Sequence, residues 1–353
     1  MKFEFPRIDM MHSTMVAELR ERLLDSAFDQ DFPEGGSFIK VTSKGRGYWY
    51  YKPSLKDGVA DKRIYVGPVD RPEINQRVEK FRRLKDDFRA RRALVSALTR
   101  DAHLFQPEPR VGRVIETLWK AGLFRMRACL VGTVAFQTYG SLLGLRLPGQ
   151  AMQTGDIDIT QFQAISVAIE DSLVPMVELL RSADPGFSPV NQLDDRAGPS
   201  RFVAPGELRF EFLTPNRGSD DLTGKPIPIP ALGGVTATPL RFLDYLIHQP
   251  VQAVMLHGGG IPVIVPDPAR YAIHKLIVAE RRKSGTGKDE KDLRQAAILC
   301  AAFRQLGRLP ELGEAMAEAL ERGPAWRSAI SASIDRMRSS TDPEQGGVFN
   351  NLV

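Results

Sequence analysis

The chain has 353 residues, of which 42% are apolar and 26% charged, and it carries a formal net charge of +5. That composition excludes a chain dominated by disorder or by coiled coil, and no segment approaches the ~20 consecutive apolar residues of a membrane helix. Two cysteines, Cys129 and Cys300, exclude a disulfide framework and a cysteine-built zinc site, and with no apolar signal core in the first residues the expected compartment is the cytoplasm.

In chain order, residues 10–28 have helical periodicity, with Leu19, Leu23 and Leu24 on the apolar side, and DFPEGG ends the helix. Residues 37–67 predict a small β unit: two alternating runs around Lys-Gly-Arg-Gly, then RIYVGP. Most of the tyrosines fall here. Alternation places Trp49 with Tyr51 on one face and Tyr48 with Tyr50 on the other, so one face fills a core and the other is free to bind. Helices follow over 71–99 and 109–122. ACLVGTVAF reads as a short strand, a Gly-Thr turn and a helix continuing to about Leu143; GLRLPGQAMQTG reads as an exposed loop. DIDIT is a strand, 163–182 a helix, and 201–213 two short strands. Short strands surround a helical PLRFLDYLI between 226 and 265. Helices over 268–283, 289–306 and 309–322 complete the reading.

Charge is uneven. Residues 40–100 hold 17 Lys or Arg against 7 Asp or Glu, so this segment is +10 and the remainder about −5. A local basic excess is what a phosphate-backbone contact surface requires; a solvated amphipathic helix is the structural alternative.

The sharpest chemical signal is Asp156-Ile157-Asp158. Residues i and i+2 of a strand project to one face, so two carboxylates lie together and repel unless a cation sits between them. Oxygen-only donors suit Mg²⁺ before Ca²⁺. Gly132-Thr133 lies 24 residues upstream of Asp156: glycine lets the backbone approach a phosphate, and the hydroxyl beside it can donate. Glu211, on the alternating strand RFEFL, is the third carboxylate that a two-metal site needs; Glu207 and Asp220 are rivals placed in turns.

The order Gly-Thr, then DIDI, then a strand acid resembles the nucleotidyltransferase superfamily of DNA polymerase β type. LVGTVAFQTYGSLLG and TGDIDIT, with the upstream GYWYYKPSLKDG and RIYVGP, resemble its prokaryotic nucleotidyltransferase-fold group of the GSU2403 type, and together these likenesses reach across most of residues 37–280. The resemblance implies that Gly132 and Thr133 contact the nucleotide phosphates. It implies that Asp156, Asp158 and Glu211 hold two Mg²⁺ ions and carry the catalysis, with Glu211 also helping to deprotonate the acceptor hydroxyl. Threonine replaces the usual serine at the second turn position, and the spacer before Asp156 is long, which implies an extra loop over the nucleotide. The helix PDPARYAIHKL is similar to a triphosphate-holding helix of abortive-infection-type nucleotidyltransferases. This implies nucleotide binding by Lys275, with Arg270 the weaker candidate, and matches Asp292 to the Lys-Asp motif on the next helix.

The implied fold class is α+β: a polymerase β-type core with a small mixed sheet flanked by helices, a helical C-terminal region and a small N-terminal helix and β-hairpin region. The expected boundaries are 1–122, 123–265 and 266–353. The expected activity is nucleotidyl transfer (EC 2.7.7): an NMP moves from an NTP to a hydroxyl, with RNA, including a tRNA end, favoured as acceptor by the basic segment 40–100. Two rival readings are a non-catalytic nucleic-acid-binding protein and a toxin–antitoxin or defence component acting on a protein or small molecule. His274 reads as a structural histidine, His248 and His257 lack zinc-ligand spacing, Gly258-Gly259-Gly260 is a turn between strands, and 284–288 an exposed turn.

Overall fold

The structure, a computed structural model, describes residues 4–26, 37–43, 46–52, 64–168, 172–190, 198–216, 225–282 and 287–339. Its first elements are α1 (Met10–Ser26), the strands β1 (Ser37–Ser43), β2 (Arg46–Lys52) and β3 (Ile64–Pro68), and α2 (Pro72–Arg100). The three strands form an antiparallel sheet of their own, in the order β1-β2-β3. Tyr51 is its buried ring, packed edge-on against Phe38, whereas the Trp49 indole donates to Asn75 Oδ1 of α2 at 2.9 Å. Val95 and Leu98 of α2 pack with Leu19 and Leu23 of α1 in a separate apolar cluster.

The remaining elements are α3 (Pro109–Lys120), β4 (Cys129–Val131), α4 (Gly132–Phe136), α5 (Tyr139–Leu143), β5 (Asp156–Thr160), α6 (Gln163–Ala168), α7 (Met176–Ala183), β6 (Ser188–Pro189), β7 (Arg201–Ala204) and β8 (Leu208–Pro215). Then come β9 (Ile227–Ile229), β10 (Val235–Leu240), α8 (Leu243–Leu246), β11 (Val251–Met255), β12 (Ile261–Val265), α9 (Pro268–Arg281), α10 (Lys288–Gln305), α11 (Leu309–Glu321) and α12 (Pro324–Arg338). The fold is α+β, with a mixed sheet in the order β4-β5-β8-β10-β9 and with β7 and β6 continuing from β8. β5 runs parallel to β8 and antiparallel to β4. One sheet face is sealed: Ile157, Ile159, Phe210 and Phe212 are 0–1% exposed and belong to one apolar core. That core reaches from Phe5 through the sheet to α9, α10 and Met337 of α12, so the C-terminal helices close over the same interior as the sheet.

Four local expectations change. The stretch 163–182 is two helices rather than one. Leu173 N–H bonds to Ala231 O, and Pro175, as N-cap of α7, disfavours helix in the residue before it. In the loop before β5, Leu145, Ala151 and Met152 are buried rather than exposed, because Gln137 and Gln295 donate to the carbonyls of Met152 and Ala151. Pro239 and Leu240 finish β10, so the helix in PLRFLDYLI shrinks to α8. Helix α12 goes unread in the sequence although Trp326, Ile330, Ile334 and Met337 form its buried stripe. The Gly258–Gly260 run is the turn of the β11–β12 hairpin, as expected. Asp220 and residues 283–286 lie outside the described residues. Among the described residues no helix is long and apolar enough to cross a membrane.

Candidate active site

The open face of the mixed sheet is laid out by register. Across the strands, Asp158 pairs with Glu211 and Glu211 with Arg201; one step away Asp156 pairs with Arg209 and Arg209 with Val203. Neighbouring strands lie about 4.8 Å apart, so these side chains stand in two short rows on one surface. Period two in DIDIT is the cause: each isoleucine anchors the strand in the core and each aspartate is thereby turned outward. Glu207 sits at the β7–β8 turn with φ 61° and does not join the rows.

Gly132 closes one side. It follows the buried strand β4 with φ +66°, a conformation that favours glycine, and a Cβ there would lie 2.5 Å from Asp158 Oδ2. Thus the turn and the aspartate fit only because residue 132 has no side chain. The turn is also tied from behind. The buried Tyr271 hydroxyl lies 2.9 Å from both Gly132 O and Gln295 Oε1, and Gln295 Nε2 reaches Thr133 Oγ1 at 3.3 Å and Ala151 O at 2.8 Å.

Gly132, Thr133, Asp156, Asp158, Glu211 and Lys275 all line one cavity of about 440 Å³. Lys275 is buried with its ammonium 2.5 Å from Asp292 Oδ1, and Arg282 Nε lies 2.6 Å from Asp292 Oδ2. Lys288 reaches Asp156 Oδ2 at 3.1 Å, and Lys291 donates to Gln153 O at 2.5 Å. Burial, then the neighbouring Lys275, pulls the Lys291 ammonium below its ordinary range. Arg270 is not brought to the cavity. Its guanidinium pairs with Glu318 and stacks over the Tyr245 ring. His274 is buried and held down to about 3, by burial first and by Lys275 next.

Sequence reasoning missed Lys288, Lys291, Gln295, Tyr271, Arg282, Arg201 and Arg209. A signal existed for most of them. Residues 288, 291, 292 and 295 follow helical spacing, and so do 271 and 275, so each set shares a helix face.

Asp158 gives the electrostatic character of the place. Its carboxyl is pushed up to about 7, by burial first and then by Glu211 and Asp156, with Lys275 and Lys288 opposing. Glu211 Oε1 accepts from Arg201 Nε at 2.8 Å and from Thr238 Oγ1 at 3.0 Å. Carboxylate oxygens on one face, one of them too crowded to ionise freely, fit a hard divalent cation. Among the described residues no three acidic, histidine or cysteine side chains are drawn together as a ready ion cage; Glu211 leans to Arg201 and Asp156 to Lys288.

A family model described as Nucleotidyltransferase matches residues 109–321. Among solved structures, an antigenic nucleotidyltransferase-like protein from Paracoccidioides brasiliensis is similar at 16% identity, over 63% of this chain and 92% of that one, with a TM-score of 0.29. No curated protein matches the chain.

Proposed function

The chain belongs to the nucleotidyltransferase family, and from that premise we propose that it moves an NMP from an NTP to a hydroxyl acceptor at the cavity above β5 and β8, releasing pyrophosphate. The observation that carries this reading is the meeting, on one cavity, of the Asp156, Asp158 and Glu211 rows with the Gly132-Thr133 turn and a set of cations. The residues also support the prokaryotic subgroup that the Gly-Thr turn, DIDIT and the N-terminal β unit resemble.

Lys275, Arg282, Lys288 and Lys291 attract and neutralise the triphosphate. Lys275 is held for this by Asp292, and Lys288 is free to exchange an exposed carboxylate for a phosphate. The backbone at Gly132 gives close approach, and the Thr133 hydroxyl donates to a phosphate oxygen. Glu211, next to Asp158 in the register, receives the proton of the acceptor hydroxyl. Asp156, Asp158 and Glu211 would hold two Mg²⁺ ions, which when bound spread the charge of the reacting phosphate and lower the acceptor's pKa.

RNA is the acceptor that the basic segment 40–100 favours. None of the described residues of 40–100 lines the cavity, and part of that basic charge is structural: Arg91 is buried, with Nε on Asp87 and Nη1 on Gly259 O at 3.2 Å. This supports a second reading in which the acceptor is not nucleic acid, as for a toxin–antitoxin or defence component that modifies a protein.

The test is incubation of the full chain with each α-labelled NTP, Mg²⁺ and either total RNA or soluble protein. Transfer by the native chain, and its loss by at least ~10³-fold in Asp158→Ala, is the expected result. Equal labelling by both would overturn the reading, and RNA retention without transfer would favour a binding protein.

A further inference from the structure

Glu211 stands at a junction in the sheet. The first half of β8 pairs with β7, where Arg201 lies opposite Glu211, and the second half pairs with β10, where Thr238 lies opposite Leu213. The chain entering β7 runs between the two partners: Phe212 N–H bonds to Ser200 O at 2.9 Å and Thr236 N–H to Pro199 O at 3.2 Å. Two strands thus meet beside one carboxylate, and each sends it a donor. Arg201 Nε and the Thr238 hydroxyl both donate to the same oxygen, Glu211 Oε1, at 2.8 Å and 3.0 Å.

A carboxylate oxygen accepts along two lone-pair directions, so Oε1 is filled from within the chain and Oε2 is the oxygen left for chemistry. The last torsion of a glutamate is soft. Bonds at Oε1, rather than a rotamer preference, therefore decide how the group is turned. On the other side of β8, Glu211 is the cross-strand neighbour of Asp158, and Glu211, Asp158 and Thr238 line one cavity.

The two donors are not equivalent. Arg201 is half-exposed, and an ion pair of that kind is worth little and costs the ordering of a long side chain. It also brings a positive charge that competes with any cation for the same carboxylate. Thr238 is β-branched and stiff at χ1. Its strand is paired on both sides, with β8 and with β9, and the preceding Ala237 is buried. Its hydroxyl is preset on the sheet and is neutral.

We propose that Thr238 is the positioning residue of Glu211: its hydroxyl holds Oε1 and presents Oε2 to the acceptor proton and to the Mg²⁺ that Glu211 would hold. The inference rests on the nucleotidyl-transfer reading and deepens it by a residue that acts only through Glu211. The cations that would take the triphosphate, Lys275, Lys288 and Lys291, belong to other elements, so NTP binding does not depend on this hydroxyl.

The test compares the full chain with Thr238→Val, which keeps the shape and removes the donor, Thr238→Ser, which restores it, and Arg201→Met. Thr238→Ala removes the donor without the valine branch should Thr238→Val melt early. Mn²⁺ affinity is read by electron paramagnetic resonance without nucleotide, and transfer of labelled NMP to total RNA or soluble protein is followed as NTP is varied. Removing the hydroxyl should lower Mn²⁺ affinity and kcat by about 10- to 100-fold, the range for a partner that orients a metal ligand. KM for the NTP should stay within ~2-fold, serine should restore both quantities to within ~3-fold, and Arg201→Met should cost less than Thr238→Val. A hydroxyl that served packing alone would lower only the melting temperature. Native Mn²⁺ affinity and kcat in the folded valine or alanine variant, no rescue by serine, or a larger loss in Arg201→Met would overturn the positioning role and leave nucleotidyl transfer standing. Failure of the native chain to transfer any NMP would remove nucleotidyl transfer, and the positioning role with it.

Discussion

Arg270 and Lys275 lie five residues apart on helix α9, and both are basic side chains of the kind that grips a triphosphate. Five residues turn a helix by about 140°, and the two side chains enter different worlds. Arg270 joins a closed cluster: Glu318 takes it and Arg322, Arg322 also holds Asp244, and both guanidiniums stack on Tyr245. Lys275 faces the cavity and shares Asp292 with Arg282, so one carboxylate serves two cations. A cluster whose charges balance locally stabilises the packing of α9 on α11. A cluster left with surplus positive charge beside a crowded set of carboxylates does not balance within the chain, and on the proposed function an anionic ligand and a cation would complete it.

The contrast can be broken at either end. Lys275→Met keeps the volume and leaves Asp292 with Arg282. NTP affinity should then fall by about 10- to 100-fold, the scale of one charge-assisted contact, as read by calorimetry at a temperature where a melt shows the variant folded. If affinity held, the cavity's surplus charge would be ornamental. Arg270→Ala should do the reverse, lowering urea stability by about 2 kcal/mol through lost packing and an under-paired Glu318 while NTP affinity holds. The Arg270 hydrogen bond holds the Glu318 carboxyl down to about 2, from an ordinary 4.5. This stabilisation is therefore full above 4.5 and disappears as pH falls through about 2.

His274 gives a wider pH window. Its folded value of about 3 lies below the ordinary 6.5. Between those values the unfolded chain takes up a proton that the folded chain refuses. Stability is therefore full above 6.5 and declines as pH drops toward 3, by about 2 kcal/mol at pH 5 relative to pH 8. Denaturant melts across that range should show the slope, and His274→Gln should flatten it. The smallest effect is expected for Tyr271→Phe, which frees the back of the Gly132 turn. About 1 kcal/mol of stability and roughly a threefold loss of NTP affinity should result, measured on the same samples. Stability loss with unchanged affinity would make Tyr271 a core residue and nothing more.

Much of the arrangement was written in short-range patterns. The alternation in DIDIT placed two carboxylates on one strand face, RFEFL did the same for Glu211, and a glycine before a hydroxyl marked the turn at 132–133. These are consequences of a period of two and of the freedom of one glycine, and they hold in any fold that makes those strands. The helical spacing of 288, 291, 292 and 295 was equally available but lacked a reason to be noticed until its partner was known.

Tertiary structure decided the rest, because it depends on contacts between segments that local patterns do not link, from 17 residues apart for Lys275 and Asp292 to 162 for Thr133 and Gln295. Parallel pairing of β5 with β8 set Asp158 beside Glu211. Packing of α9 and α10 against the sheet sent Lys275 and Gln295 inward and Arg270 away. Pairing of β7 and of β10 with β8, in turn, placed Val203 and Leu240 on the cavity wall.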